Sequence, residues 1–271
     1  MILLDGKKVA EELAVELKKK VEVLKNKGAS AKLTAISVGN HPASNTYLKV
    51  KQKRCEDIGI EFEHQNFPEN IDRQNLIQEI KNLNSSRTSG IIVQLPLPEK
   101  LKLDQNHILA TIDPLKDVDN LHSNQYPAPT PSAILKLLDY YNINLAEHNI
   151  LIVGLGFLVG KPLARLLSEK GIDFDTADLT TKNLKDKLKK ASLIISATGN
   201  PGLICAHDIA EGVVVIDAGT AESGGKIVGD VAQDVSSKAS YLAPVPGGVG
   251  PVTIIMLIYN ILEAAERGVD T

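Results

Sequence analysis

Apolar residues near the start of the chain recur with the spacing of an amphipathic helix. The series, with steps of three or four residues, is Val9, Leu13, Leu17, Val21 and Leu24. This spacing places the five side chains on one helical face, and a following glycine is a common end signal. We therefore predict a helix that begins after Gly6 and ends before Gly28, with its lysine-rich face in solvent.

Short apolar strands alternate with helices through the rest of the first half. Strands are predicted at 33–38, 60–64 and 90–95, and helices at 44–59 and 75–83. This alternation indicates a parallel sheet, because parallel strands need a crossover connection, which is usually helical. Sheets of this kind bind ligands at the ends of their strands, so chemistry is expected where the strands stop.

A proline-rich segment interrupts this alternation at 125–131, and we place a domain boundary between residues 120 and 148. The elements predicted beyond it are a helix at 132–141, strands ending near residues 154, 178, 197 and 217, and helices at 161–170 and 184–190. The chain is thus predicted to be a two-domain α/β protein. An N-terminal α/β domain covers 1–125, and a Rossmann-like dinucleotide-binding domain with a parallel sheet covers 140–250. A last apolar helix, about 251–271, is expected to pack back on the first domain.

The amino-acid composition limits which binding partners and which cellular compartment are expected for this protein. The 30 basic and 33 acidic side chains leave a formal net charge of −3, so nucleic acid is not expected as a partner. Cys55 and Cys205 are too few for a disulfide framework or a four-cysteine zinc site, which favours a reducing compartment. The start of the chain lacks the apolar core of a signal peptide, and no apolar run of about 18 residues suggests a membrane span. We expect a cytoplasmic protein.

A glycine-rich turn follows the strand that ends near residue 154. Gly154, Gly156 and Gly160 lie between this strand and a helix, where backbone amides can approach a pyrophosphate. A plain strand-to-helix turn is the alternative. Asp178, 24 residues after Gly154, ends the next strand, where a carboxylate can accept the ribose hydroxyls of a dinucleotide. The alternative for this residue is a turn cap.

Several polar residues of the first domain form a second candidate site. Ser44, Tyr47 and Lys51 follow one another at steps of three and four on one helical face, although a surface lysine and a half-buried ring would show the same spacing. Gln94 ends an otherwise apolar strand, and leaving its amide buried without a partner would cost about 1–3 kcal/mol. Lys51 is a candidate partner. Asp119 ends a further loop and offers a carboxylate acceptor, or caps the loop together with Asp117.

The motifs of the two halves resemble one family in order and over essentially the whole chain. They are VGNHPASNTYLKVK, GIIVQLPLP, PLKDVDN, VGKP, SATGNPGLI, VIDAG, VGDV and PVPGGVGPVT. The family is the methylenetetrahydrofolate dehydrogenase/cyclohydrolases of one-carbon metabolism, and the last motif is very specific for it. The resemblance implies a folate cleft between two α/β domains and a homodimer formed through the cofactor domains. It also implies oxidation of methylene- to methenyl-tetrahydrofolate, followed by hydrolysis to formyl-tetrahydrofolate.

The resemblance assigns roles to residues of this chain. Lys51 is the proton-transfer group, Tyr47 stacks on the folate, Gln94 partners the lysine and Asp119 holds the pterin. Further folate contacts are expected at Ser44, Val93, Leu95, Pro246, Gly247 and Gly248. Dinucleotide contacts are expected at Gly154, Gly156, Phe157, Leu158, Val159, Asp178, Ala197, Thr198, Gly199 and Thr220. This chemistry requires no metal. A short-chain dehydrogenase also pairs tyrosine with lysine, but there the glycine turn comes first.

Departures from the family pattern concern the choice of dinucleotide. Members that use NADP usually carry arginine and serine at the positions of Leu155 and Gly156, and a Cys-His-Ser-like segment at 177–179, where this chain has Asp178. The 2′-phosphate clamp is therefore missing, and we predict NAD over NADP. A degenerate dinucleotide site, leaving a cyclohydrolase or a non-catalytic folate binder, is the alternative. Asn120 replaces a usual glycine, and we expect it to tolerate a positive φ.

Overall fold

The computed structural model describes residues 1–223 and 226–268 and divides into two compact units. The six-strand unit contains Met1–Glu12 and Pro129–Ile255, and the three-strand unit contains Leu13–Ala128 and the chain from Met256 onward. Both divisions fall within a helix, because the first and last helices each contribute residues to both units. Each unit is therefore assembled from two separate stretches of chain.

The described elements alternate along the chain as an α/β fold requires. In chain order the strands are β1 (Ile2–Leu3), β2 (Lys32–Val38), β3 (Glu61–Phe67), β4 (Gly90–Val93), β5 (Ile150–Val153), β6 (Asp175–Ala177), β7 (Leu193–Ser196), β8 (Val214–Asp217), β9 (Ala221–Ser223), β10 (Lys226–Val228) and β11 (Tyr241–Ala243). The helices are α1 (Gly6–Asn26), α2 (Pro42–Ile58), α3 (Arg73–Asn84), α4 (Glu99–Lys102), α5 (Gln105–Leu109), α6 (Pro129–Tyr140), α7 (Gly160–Glu169), α8 (Leu184–Lys190) and α9 (Val249–Arg267).

The three-strand unit is built on a parallel sheet in the order β3-β2-β4. The central strand β2 is buried from its second residue onward, because it has a neighbour on each side and helices cover parallel sheets. Its core includes Ile36, Leu76, Ile80 and Ile91, from β2, α3 and β4. This sheet fixes where β4 ends, and Gln94 follows directly.

The six-strand unit contains a parallel sheet in the order β1-β11-β8-β7-β5-β6. Successive strands after β5 lie first on one side of it, as β6, and then on the other, as β7. This change of direction is the switch point where doubly wound sheets bind ligands, and the Rossmann-like prediction is confirmed. The chain also forms an antiparallel β9–β10 hairpin, joined through residues outside the described part.

The N-terminus differs from the sequence prediction. Residues 1–125 were expected to form one domain, but β1 pairs with β11 in the larger sheet, with Ile2 opposite Tyr241. Leu4 is fully buried, and its backbone N–H donates to the Leu242 carbonyl at 2.9 Å. A two-residue strand carries too little alternation to reveal itself in a sequence, because periodicity needs four or more residues.

Helix α9 is long and apolar enough to cross a membrane by length and composition, and 67% of its most apolar window is buried within the structure. Apolar core helices of this kind meet the same criterion. Its second half belongs to the three-strand unit, where Asn260 Nδ2 donates to the carbonyls of Val118 at 2.8 Å and Pro127 at 2.9 Å. The last residues of the predicted helix, 269–271, lie outside the described residues.

Candidate functional site

Tyr47 and Lys51 lie one turn apart on α2. The helix begins after His41, whose ring accepts from the Ser44 N–H, and ends at Gly59, which has a left-handed φ of 96°. The Lys51 side chain is buried, and its Nζ lies 4.8 Å from the centre of the Tyr47 ring. A cation over an aromatic face is attracted by the ring quadrupole, more strongly where water is excluded. The amine is thus held against the ring rather than in bulk water.

Asp119 completes the polar group around Lys51. Its Oδ2 lies 3.8 Å from Lys51 Nζ. Burial raises the pKa of the Asp119 carboxyl, the Lys51 cation counteracts this, and the neighbouring Asp117 adds to the rise. Tyr47, Lys51 and Asp119, three residues that the sequence analysis selected, are therefore brought together in the three-strand unit.

The loop that carries Asp119 is shaped by the carboxylate of Asp117. Asp117 is fully buried and accepts from the backbone N–H groups of Leu121, His122 and Ser123 at 2.8–2.9 Å. Asp117, rather than Asp119, therefore caps this loop. Asn120 adopts a positive φ of 52°, as expected for the residue that replaces a glycine.

Gln94 has a different environment from the one predicted. Its Nε2 donates to the Leu95 carbonyl at 2.8 Å, and its buried Oε1 accepts no hydrogen bond in the described part of the chain. The expected Lys51–Gln94 hydrogen bond is therefore not formed, and the contact of Lys51 with a polar partner is to Asp119. An unpaired buried acceptor costs free energy, so Gln94 Oε1 has the chemistry to receive an N–H donor from a ligand or a reoriented lysine.

Two other ionisable groups of α2 are held in their neutral forms. Burial raises the pKa of the Tyr47 phenol, and Asp119 raises it further. Burial raises the pKa of the Cys55 thiol, one turn beyond Lys51, to about 12. Neither group offers an anionic nucleophile near neutral pH, which leaves the lysine and the carboxylate for proton transfer.

The remaining residues predicted to contact folate have visible local roles. Ser44 is in the first turn of α2, and its Oγ lies 3.4 Å from His41 Nδ1. Val93 is buried at the end of β4, and the Leu95 carbonyl accepts from Gln94. Ser44 and Leu95 are both partly exposed, and their contacts with folate stay predictions.

The glycines of the PVPGGVGPVT segment have a packing role in the six-strand unit. A Cβ on Gly248 would lie 2.6 Å from the Pro244 carbonyl oxygen, and a Cβ on Gly6 would lie 1.7 Å from the Gly248 oxygen. The Gly6 N–H also donates to the Gly247 carbonyl at 2.9 Å. Close backbone packing therefore accounts for glycine at 6 and at 248, and the folate contacts expected at Gly247 and Gly248 stay predictions. Pro246 is exposed and Gly247 partly so.

The glycine turn after β5 combines two sterically required glycines with one that is not. Gly154 has a φ of 93°, and a Cβ on it would lie 2.6 Å from the Ala197 oxygen. A Cβ on Gly160 would lie 1.9 Å from the Gly154 oxygen, whereas a Cβ on Gly156 would meet nothing within 4 Å. The side chain of the N-cap residue Val159 makes no capping bond, but the Lys161 N–H donates to the Gly156 carbonyl at 3.1 Å and Pro162 has no N–H, so the Gly160 N–H is the first-turn amide left for an anion. Phe157 and Leu158 are exposed, and Val159 is partly buried.

Asp178 is exposed just after β6, and part of its carboxylate is used locally. Its Oδ1 accepts from Thr180 N at 2.8 Å and from Thr180 Oγ1 at 2.7 Å. The Thr180 side chain and backbone bonds lower the pKa of Asp178 below its usual value. Asp178 therefore does cap a turn, while Oδ2 forms no hydrogen bond within the described chain and remains able to accept a hydroxyl.

Two buried carboxylates that the sequence patterns did not reveal, Asp217 and Asp230, lie at the strand ends beside the predicted dinucleotide contacts. Asp230 Oδ2 accepts from Thr198 N and Ser196 Oγ, both at 2.7 Å, and its Oδ1 accepts from Asn200 N at 2.9 Å. It thereby holds the loop that contains the predicted residues Thr198 and Gly199, next to Ala197. Thr220, which is exposed, lies opposite, with its oxygen 3.5 Å from a Cβ on Gly199.

Asp217 forms the second half of this arrangement. Its carboxylate accepts from the N–H groups of Gly219, Asp230 and Val231 at 3.0–3.1 Å. A Cβ on Gly219 would lie 2.1 Å from the Asp230 carboxylate, and one on Gly229 would lie 1.9 Å from Asp217 Oδ2. The available signal was an aspartate one or two residues from a glycine in VGDV and VIDAG, because buried carboxylates need converging N–H donors.

Two family models match the chain. The catalytic domain of "Tetrahydrofolate dehydrogenase/cyclohydrolase" matches residues 4–119. The NAD(P)-binding domain of the same description matches residues 128–269. The first range contains Tyr47, Lys51, Gln94 and Asp119, and the second contains the glycine turn.

Relatives of known name cover almost the entire chain. The "Bifunctional protein FolD" of Nitratiruptor sp. is 41% identical over 280 residues, which is 98% of this chain and 99% of the relative. A solved structure of the FolD methylenetetrahydrofolate dehydrogenase/cyclohydrolase from Campylobacter jejuni is 39% identical, with a TM-score of 0.93 over 99% of both chains. The Trypanosoma brucei dehydrogenase-cyclohydrolase complexed with NADP and an inhibitor is 31% identical, with a TM-score of 0.92 over 100% of this chain and 99% of that one.

Proposed function

Because the chain belongs to the tetrahydrofolate dehydrogenase/cyclohydrolase family, we propose that it converts 5,10-methylene- to 10-formyl-tetrahydrofolate in two steps. A hydride first leaves the methylene bridge, which gives the methenyl cation. Water then adds to that carbon, a proton is released, and a carbon–nitrogen bond opens. The observation that carries the proposal is the buried Lys51 amine, held between the Tyr47 ring and the Asp119 carboxylate.

Lys51 is the proton-transfer group in this proposal. Water that adds to the cationic carbon must lose a proton, and an amine accepts one only in its neutral form. The positive charge of the bound methenyl group opposes a second positive charge on the amine until water adds to the carbon, so the amine is then able to accept the proton. The Tyr47 ring offers its face to the pterin, and Asp119 accepts from the amino-substituted ring.

Gln94 is the positioning group for Lys51 or for the folate. Its Oε1 is a buried acceptor without a donor, and its Nε2 is fixed by the Leu95 carbonyl. The amide is therefore oriented before any ligand arrives. A ligand N–H group that donates to Oε1 removes the free-energy cost of the unpaired acceptor, and this gain strengthens ligand binding.

The residues of the glycine turn fit a dinucleotide. The Gly160 N–H at the start of α7, close to the left-handed Gly154, faces the turn as a donor for a pyrophosphate, and the loop held by Asp230 lies at the neighbouring strand end. When bound, the oxidised nicotinamide accepts the hydride from the methylene carbon. We propose NAD over NADP, because Leu155 and Gly156 supply no phosphate donors and Asp178 Oδ2 is free for a ribose hydroxyl.

A parallel assay tests the two steps. Purified protein is mixed with methylene-tetrahydrofolate and either NAD or NADP, and the absorbance of the reduced nicotinamide is followed together with that of the methenyl product. We expect both the dehydrogenase step and the hydrolysis step to proceed, and we expect a higher specificity constant with NAD. Better use of NADP would overturn the cofactor preference only. Hydrolysis of methenyl-tetrahydrofolate without any dinucleotide reduction would identify a cyclohydrolase with a degenerate cofactor site.

Replacing Lys51 with methionine tests the catalytic role. We expect hydrolysis of methenyl-tetrahydrofolate to fall by at least about 100-fold, because general acid–base groups contribute about 10²–10⁴. Folate binding, measured by fluorescence or calorimetry, should be retained. Lys49→Met is the matched control, since Lys49 is exposed on the same helix. Full hydrolysis by Lys51→Met would remove the lysine from the mechanism.

We also propose that the protein works in the cytoplasm as a homodimer formed through its dinucleotide-binding domains. The basis is the family resemblance, together with the two free cysteines. Tetrahydrofolate derivatives are the proposed partners, and no nucleic acid or membrane is needed. Sedimentation should give a mass of twice 29.2 kDa, and a monomer at micromolar concentration would contradict the assembly.

A further inference from the structure

A thiol, an imidazole and a carboxylate meet at a short 3-10 turn of the six-strand unit, outside the residues assigned above. They belong to Cys205, His207 and Asp208, and one ligand atom from each lies within 4.8 Å of the other two. This group, which we call the Cys–His–Asp cluster, follows the loop held by Asp230. Sulfur, nitrogen and oxygen donors of these types form the usual ligand set of zinc.

The carboxylate of the cluster is buried but incompletely satisfied. The Asp208 side chain is only 7% exposed, and Oδ1 accepts no hydrogen bond in the described part of the chain. Lys185 Nζ and His207 Nε2 each lie 3.2 Å from that oxygen, but neither donates a hydrogen bond to it. A buried carboxylate in this state is ready for a better cationic partner.

The backbone of the cluster is fixed before any ion binds. Ile204 pairs with Val231, and the Ala206 N–H donates to Asp234 Oδ1 at 3.1 Å. The Asp208 N–H donates to the Cys205 carbonyl at 3.0 Å, which closes the turn. The three donors are therefore presented by an anchored segment of backbone.

We propose that the Cys–His–Asp cluster binds one Zn²⁺ ion through the Cys205 thiolate, a His207 ring nitrogen and an Asp208 carboxylate oxygen. Water is the fourth ligand, and the thiol proton is released to solvent on binding. The Cys205 Sγ–H, which points to the Gly202 carbonyl at 3.5 Å, gives up that weak contact. The site lies apart from the residues assigned to catalysis, so the expectation that the reaction needs no metal is unaffected.

Lys185 competes with the ion for the Asp208 carboxylate. It is 71% exposed on α8, so its side chain is free to swing into solvent when a divalent ion takes its place beside Asp208. Its positive charge nevertheless opposes the ion while it remains nearby. Removing this charge is therefore expected to tighten binding, an effect that a surface histidine acting alone would not show.

Cobalt provides a direct readout of the thiolate ligand. Chelator-treated, reduced protein is titrated with Co²⁺, and the near-ultraviolet sulfur-to-cobalt band is recorded. The only other cysteine, Cys55, is fully buried, so the band reports Cys205. We expect a band that saturates at one ion per chain, is abolished by Zn²⁺, and is absent in Cys205→Ser. A band that survives in Cys205→Ser, or none at about 1 mM Co²⁺, overturns the proposal.

Variants of the other residues distinguish Zn²⁺ binding at the Cys–His–Asp cluster from nonspecific Zn²⁺ binding elsewhere on the protein. We expect His207→Ala and Asp208→Asn each to weaken Zn²⁺ binding at least about tenfold, since even outer-shell changes cost that much. Lys185→Ala should strengthen it. His107→Ala, at an exposed histidine of α5, is the control and should change nothing. If a variant fails to fold, the wild-type protein provides the test: bound Zn²⁺ should slow the alkylation of Cys205. Alkylation at the same rate with and without Zn²⁺ overturns the site.

Discussion

At the level of single residues, the side-chain oxygen of Gln94 is buried and accepts no hydrogen bond. We predict that Gln94→Met changes the free energy of unfolding by less than about 1 kcal/mol, because losing the bond to Leu95 is offset by removing an unsatisfied acceptor. Hydrolysis should nevertheless fall at least about tenfold, since the positioning group is gone. Thermal melting and the decay of methenyl absorbance measure the two effects.

Gln78→Met is the control for this prediction. Gln78 is exposed on α3 and donates to Asn82, so its replacement should leave both stability and hydrolysis unchanged. If Gln94→Met instead unfolds the chain at much lower temperature while retaining its activity, Gln94 is a structural residue and has no positioning role.

Part of the candidate site could be predicted at this scale. The four-residue spacing of Tyr47 and Lys51 places both on one helical face wherever the helix packs, so their proximity follows from the sequence. The Lys51–Asp119 pair and the unpaired oxygen of Gln94 depend on where two segments, the one after β4 and the one after α5, lie relative to α2. Their placement is set by tertiary packing and by the three N–H bonds to Asp117, which spacing does not encode.

At the level of elements, the glycine turn between β5 and α7 contains two glycines that the fold requires, Gly154 and Gly160, and one position, Gly156, that has room for a side chain. We predict that Leu155→Arg combined with Gly156→Ser raises the NADP-to-NAD ratio of specificity constants by at least about tenfold. Hydrogen bonds to a charged phosphate contribute about 1.5–3 kcal/mol, and a Cβ at Gly156 has open space. Steady-state kinetics with both dinucleotides measure the ratio.

A serine at Gly160 is the steric control for that turn. A Cβ there would lie 1.9 Å from the Gly154 oxygen, so Gly160→Ser should impair use of both dinucleotides alike. An unchanged ratio in the Leu155→Arg, Gly156→Ser variant would show that this turn does not contact the ribose phosphate.

The buried carboxylate at the end of β8 predicts a pH effect on stability. Burial raises the pKa of Asp217 to about 6, the three N–H bonds oppose this, and Asp230 adds to it. The folded chain therefore holds this proton more tightly than the unfolded chain does, since the ordinary value is 3.8. The resulting stabilisation is complete below about pH 4 and is lost as pH rises through about 6.

Asp217→Asn isolates this effect, because asparagine carries no proton to lose. We predict that the melting temperature of wild type relative to Asp217→Asn falls between pH 4.5 and pH 7. Asp173→Asn, at an exposed aspartate of the same unit, should show no such trend. A wild-type advantage that grows with pH would contradict the raised pKa.

Most elements, but not all, could be predicted from hydrophobic periodicity. Helix α8 matches its predicted range, and β2, β5 and β7 agree within a residue or two, because each has a clear apolar repeat. The β9–β10 hairpin and β11 were missed, since each strand is three residues long and stabilised by its partner rather than by its own pattern. Strands this short, whether at the edge of a sheet or inside it as β11 is, carry too few residues for a repeat to be recognised.

At the level of the whole molecule, the residues for the two proposed steps belong to different units. We predict that Asp230→Asn raises the KM for the dinucleotide at least about tenfold, because the amide presents a donor to the N–H groups of Thr198 or Asn200 and displaces their loop. Hydrolysis of methenyl-tetrahydrofolate should be unchanged. Initial rates of both reactions on one preparation measure this split.

An equal loss of both activities in Asp230→Asn would mean that the carboxylate supports the whole fold. Asp173→Asn again provides the comparison, since its side chain is exposed in the same unit and should leave both rates unaltered. Loss of kcat with an unchanged KM for the dinucleotide would also contradict a role in loop placement.

Neither unit is a continuous stretch of polypeptide, and this governs the order in which the molecule forms on the ribosome. The larger sheet takes its edge strand from the first residues of this sequence, and the smaller unit includes the second half of α9. Neither unit can therefore be completed before residues from the second half of the sequence have been made. A gene fragment cut at the apparent midpoint would leave each product short of an essential piece, whereas coexpressed halves should restore each other.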